Sequence, residues 1–91
     1  MSPRAIADPD DIERFAGELR QFNTQMREMS QRMNGRLSAL NSTWQDQEFQ
    51  KFSEQFLQTM KGIQNFTNSC DAYVPGLQKK AQILRDYLNK R

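Results

Sequence analysis

The spacing of the apolar residues limits this chain more than any other feature. Ile12, Phe15, Leu19, Phe22, Met26, Met29, Met33, Leu37 and Leu40 follow one another at intervals of three or four. That alternation draws one stripe along an α-helix and is incompatible with a strand, whose period is two. A second segment repeats the theme. Phe49, Phe56, Ile63, Cys70, Leu77 and Leu84 recur every seven residues, beside a parallel row of Met60, Thr67, Val74, Ala81 and Leu88. Phe52, Leu57, Phe66, Tyr73, Ile83 and Tyr87 widen this second stripe beyond what contact with a single neighbour requires.

Local signals set the boundaries. Asp8 is suited to the N-cap of the first helix, Pro9 to its first position, and Asp10 and Asp11 to the positive end of its dipole. Residues 1–7 carry no pattern and are expected to form a flexible N-terminus. Residues 8–91 then make one domain: helix 1 over about 9–40, a turn over about 41–46 and helix 2 over about 47–89. At Asn34-Gly35 the apolar phase shifts by one residue, where a local bend or weakening is expected. Pro75-Gly76 interrupts helix 2, and an interior proline removes a backbone hydrogen bond. The row from Cys70 through Leu77 to Leu84 keeps its phase across it, so a kinked continuous helix is preferred to a third helix. Lys79, Lys80, Arg85, Lys90 and Arg91 are expected to complement the C-terminal dipole, with attraction to a membrane surface as the lesser reading.

The fold class that follows is all-α: an antiparallel helical hairpin, or helix-turn-helix. A lone hairpin of 91 residues has little core, so the surplus apolar face implies dimerisation into a four-helix bundle. The packing and dimer-interface residues are Ile12, Phe15, Leu19, Phe22, Met26, Met29 and Met33 on helix 1, with Phe49, Phe52, Phe56, Met60 and Ile63 on helix 2. The methionines read as flexible core filler before they read as a promiscuous groove, and Cys70 as a small buried residue.

Catalysis finds little support. The chain has no histidine, which removes the commonest general base and the usual zinc sites. One cysteine excludes an internal disulfide or a cysteine-based metal cluster. There is no Gly-rich phosphate loop. No enzyme activity, cofactor or metal is therefore expected. A net charge of +2 without a basic run argues against nucleic acid as a partner. No apolar stretch reaches membrane-spanning length, and Met1–Asp11 lacks the apolar core of a secretory signal. The expected location is the cytoplasm, or outside the cell by a route that reads no such signal.

Between the helices lies Asn41-Ser42-Thr43-Trp44-Gln45-Asp46-Gln47-Glu48-Phe49, which holds the only tryptophan. With Leu37 and Leu40 before it and Phe52 and Phe56 after it, this turn resembles that of the WxG family of small type VII secretion proteins, the early-secretory-antigen type. The resemblance spans about residues 8–90 and implies a non-enzymatic secreted hairpin that works as a homodimer or as a heterodimer with a related hairpin. A component of the secretion machine is a further partner it implies. Asp46 stands where the family has glycine: as N-cap of helix 2 it serves well, as a residue of positive φ less well, and where close packing needs the glycine its carboxylate is a problem. The resemblance also implies a C-terminal signal of tyrosine, three residues, then an acid; Tyr73 is followed four residues on by Leu77, and Tyr87 by Arg91. Export in company with a partner is then expected, or retention in the cell. Trp44 itself reads either as a plug over the end of the hairpin or as part of a recognition cleft. The competing function is an intracellular adaptor or chaperone that binds a helix of a larger protein through its residual apolar face. A membrane-active amphipathic protein is the weakest reading.

Overall fold

The computed structural model describes residues 7–89 and contains two helices, α1 from Pro9 to Leu40 and α2 from Gln47 to Asn89. They pack antiparallel as a rod of 69 × 19 × 18 Å. The expected flexibility of residues 1–7 falls almost wholly outside the described residues, as do Lys90 and Arg91.

The start of α1 follows the expected chemistry. The Asp8 carboxylate accepts from the Asp10 amide at 2.9 Å, and Pro9 occupies the first helical turn. The helix runs through Asn34-Gly35 without a break, so the apolar stripe outweighs the glycine. Its end is closed by the small polar residues of the turn. The Ser42 hydroxyl donates to the Ala39 carbonyl at 2.8 Å, the Thr43 hydroxyl to Leu40 at 3.3 Å, and the Trp44 amide to Leu40 at 3.0 Å. These bonds occupy carbonyls that would otherwise be orphaned.

Asp46 begins α2. Its carboxylate accepts from the Phe49 amide at 3.0 Å while its carbonyl accepts from Gln50. No non-glycine residue among those described has a positive φ, so the backbone conformation at Asp46 does not require glycine. Asp46→Ala is expected to lower hairpin stability by about 1 kcal/mol, and Asp46→Gly by only a few tenths. Urea unfolding of the two variants checks the order.

α2 passes through Pro75 as one helix, so the third-helix alternative does not hold. Pro75 brings no N–H to the Asp71 carbonyl, its partner four residues earlier. Of the basic residues expected to complement the end of α2, Lys90 and Arg91 lie outside the described residues. Among the described residues the last turn of α2 contains no basic residue, and Arg85 reaches across to α1.

The seam between the helices is narrow and partly polar. Ala16, Asn23, Phe49, Thr67, Cys70, Val74 and Ala81 are buried along it. Asn23 and Thr67 are its largest fully buried side chains. On α1 the buried row is Pro9, Ala16 and Asn23, continued by half-buried Ser30 and Leu37. It shares the seam with Ile12, Leu19 and Met26, which are half-buried. The row Phe15, Phe22 and Met29, expected at a packing or dimer interface, lies outside this seam and is exposed. The small residues Ala16, Ser30, Thr67 and Ala81 let the helices approach closely where larger side chains would hold them apart.

Candidate assembly face

The rod has two unlike sides. One is polar and binds the helices together. Asn23 donates through Nδ2 to the Thr67 carbonyl at 3.2 Å and to Asp71 Oδ1 at 2.7 Å. Arg27 donates to Asp71 Oδ2 at 2.6 Å and to Asn68 at 3.1 Å. Near the open end Arg85 pairs with Asp10 and Glu13, each at 2.6 Å. These contacts fix the register. A slip of one heptad would carry the buried Asn23 amide to the level of Met60 or Val74, away from Asp71, and a buried donor without an acceptor is costly. Asn23 carries such a cost already, because its Oδ1 is buried and accepts no hydrogen bond from the chain.

The hydrogen bond from Asn23, then that from Arg27, holds the Asp71 carboxyl below its ordinary value. A lowered folded pKa gives stability that is complete above the unfolded value, about 3.9, and is lost as pH falls through the folded one. The thermal midpoint of the hairpin is therefore expected to fall below about pH 4. Asp71→Asn is expected to lower the midpoint at neutral pH and to flatten that acid limb. Thermal melts by circular dichroism between neutral pH and pH 2 test both. The Arg85 guanidinium is held above its ordinary value by the hydrogen bonds it donates to Asp10 and then Glu13, so it stays charged throughout.

The opposite side is apolar. Phe15, Phe22 and Met29 of α1 lie seven residues apart and are exposed, as are Phe66 and Tyr73 of α2. The rings of Phe22 and Phe66 meet edge to face at 6.3 Å, which places both rows on one side of the rod. Phe22 remains 43% exposed and Phe66 53%, so a single hairpin leaves much of this surface in water. Met33, Leu40 and Phe52 are exposed too. Of the remaining residues expected at interfaces, Phe49 is buried and Phe56, Met60 and Ile63 are half-buried in the seam. The expected set therefore divides into an inner seam and an outer face.

At the closed end the Trp44 ring stands edge to face with Phe49 at 5.2 Å and stacks with Phe52 at 6.2 Å. Phe52 stacks in turn with Phe56 at 5.9 Å. Trp44 is half-buried, with one part of the ring covering Phe49 and the rest open. A groove of about 550 Å³ opens between the helices farther along, with Leu57, Met60 and Ile63 beside Arg27, Asn34 and Lys61.

Among the described residues no cluster of histidine, cysteine or carboxylates is arranged to hold a metal, and no helix is long and apolar enough to cross a membrane.

Two long helices, an aromatic turn and an exposed apolar side define the class: a small helical hairpin of the tryptophan-turn type. The chain belongs to the WXG100 family, described as proteins of 100 residues with WXG, whose sequence model matches residues 6–87. The fold is shared with the secreted protein EsxB of Bacillus anthracis str. Sterne. A glutamate-to-glutamine variant of EsxB is 22% identical, with a TM-score of 0.78 over 96% of this chain and 97% of that one. The selenomethionine-labelled protein is 22% identical, with a TM-score of 0.77 over 98% of this chain and all (100%) of that one. Wild-type EsxB is 21% identical, with a TM-score of 0.76 over 90% and 88% of the two chains. No curated protein sequence matches the chain significantly. Within this family the turn here reads Trp44-Gln45-Asp46, with the third position filled by a helix cap.

Proposed function

We propose that this chain is a non-enzymatic secretion-type hairpin that acts in pairs, as a homodimer or with a related hairpin, and leaves the cell by a type VII-like route without a classical signal peptide. The observation that carries the reading is the exposed apolar side formed by Phe15, Phe22, Met29, Phe66 and Tyr73. A solvated rod gains nothing from five large apolar side chains on one side, whereas a bundle partner would remove them from water. Family membership supports the secretory part, as does the shared fold with a protein described as secreted. The test is export of the tagged chain from its native host, with and without the secretion ATPase. ATPase-dependent appearance in the supernatant is the expected result. Retention in cells that export a control substrate normally would overturn the secretory part.

One observation favours the adaptor reading as a second choice. The groove is lined by Leu57, Met60 and Ile63 together with the cation Lys61, a setting for an amphipathic helix. Retention in the cell would favour this reading.

A further inference from the structure

We infer that the open end of the rod is a separate opening unit. Residues 9–16 and 77–89 part at a hinge made by Gly17 on α1 and Pro75-Gly76 on α2, and Arg85 holds the unit shut. The inference depends neither on pairing nor on export.

The first observation is where the weak points of the two helices fall. Asn23 bonds to the Thr67 carbonyl and to Asp71, which sets the level of one helix on the other. Gly17 lies six residues before Asn23, so in an antiparallel pair it comes level with Tyr73–Leu77, six residues beyond Thr67–Asp71. That stretch holds Pro75, which leaves the Asp71 carbonyl without its helical donor, and Gly76 beside it. Glycine is the poorest helix former after proline. By the same register Gly35 comes level with Gln55–Thr59, and Gly62 with Glu28–Arg32. Neither stretch contains glycine or proline. Among the described residues, then, both helices are weak together at one cross-section. A side chain built at Gly17 or Gly76 meets nothing within 4 Å, so packing requires neither glycine.

The second observation is how unevenly the helices are held on the two sides of that cross-section. On the turn side Asn23 and Arg27 tie α1 to Thr67, Asn68 and Asp71. Phe49, Phe56, Met60 and Ile63 add large side chains to the seam there. On the open side the fully buried side chains are Ala16 and Ala81, flanked by half-buried Ile12, Leu77 and Leu84. Small side chains withdraw little apolar area from water and so stabilise little. The polar tie at this end is Arg85, 2.6 Å from both Asp10 and Glu13, whose side chains are 69% and 53% exposed. Ion pairs that face solvent in this way hold weakly. A segment with few buried apolar contacts, set off by a break in both helices, opens as a unit ahead of the rest.

Opening changes what the end of the rod displays. Val74, Leu77, Ala81 and Leu84 follow one another at intervals of three and four, the spacing of a helix seam, and α1 covers them when the unit is closed. Once open, α2 beyond Gly76 is an arm that carries its own packing row.

Hydrogen exchange of the purified full chain, read by mass spectrometry, tests the hinge. Amides of residues 12–16 and 78–85 are expected to exchange together, at least about tenfold faster than those of 20–35 and 50–70. Gly17→Ala is expected to slow exchange in 78–85 of α2 about threefold to fivefold, although the substitution is on α1. Pro75→Ala restores the donor to Asp71 and is expected to slow residues 12–16 of α1 at least as much. Arg85→Gln is expected to speed both segments about twofold to fivefold and leave the rest unchanged. Gly35→Ala, the matched substitution on the turn side, is expected to alter neither segment. Exchange that rises smoothly toward the ends, with no step at Gly17 and Pro75, would overturn the hinge. So would a Gly17→Ala effect confined to α1, because the two ends would then fray separately.

Discussion

Phe49→Ala is expected to lower the stability of the hairpin by about 3 kcal/mol, the largest effect of any single truncation on the isolated chain. Among the described residues Phe49 is the one large apolar side chain that is buried, with 7% of its surface exposed. Its ring supports the edge of Trp44, and its amide receives the cap from Asp46. Truncation therefore opens a cavity under the tryptophan and loosens the first turn of α2 together. Trp44→Ala removes a larger ring but a half-exposed one, and is expected to cost less. Urea unfolding, monitored by helical circular dichroism, orders the two. Equal losses would mean that the plug, and not its support, closes this end.

Phe22→Asp is expected to abolish pairing while leaving each hairpin folded. The side chain is 43% exposed, and its contact with the chain is one edge-to-face pair with Phe66, so the isolated rod loses little. In the proposed pair Phe22 lies on the covered apolar side, and the substitution puts a carboxylate there without a partner. Aromatic anchors at such a face are worth about 2–4 kcal/mol each, which with the cost of burying a carboxylate makes a loss of at least about a hundredfold in Kd. Sedimentation or light scattering reads the mass, and circular dichroism confirms that helicity is retained. Dimerisation at unchanged affinity would remove Phe22 from the interface.

The difference between these variants marks what the amino-acid order made legible. The long helices, their ends and the caps at Asp8 and Asp46 were readable, because each depends on residues a few positions apart. The apolar rows were readable too, but not which neighbour each one meets. Phe15, Phe22 and Met29 outrank Ala16 and Asn23 in hydropathy, yet the helices pack on Ala16 and Asn23. Close approach favours small residues, and a hydropathy count passes over them. The row Pro9, Ala16, Asn23, Ser30 and Leu37 has the required interval of seven and was available to a search for small residues in register. The partners of Asp71 and Arg85 were not legible. They depend on the offset between two helices, which no local pattern states.

The dimensions of the rod bear on its passage through confined spaces. Its two short extents are 19 and 18 Å, and its length is close to that of α2, about 65 Å at 1.5 Å per residue. The width is set by two helices side by side for most of that length. A conduit that admits a section of 19 × 18 Å would pass the described residues end-on with their helices intact. Two copies laid face to face double one of the short extents and keep the other. The aperture such a complex demands is a slot and not a round hole, which makes cross-section, more than mass, the quantity that decides whether these hairpins move singly or joined.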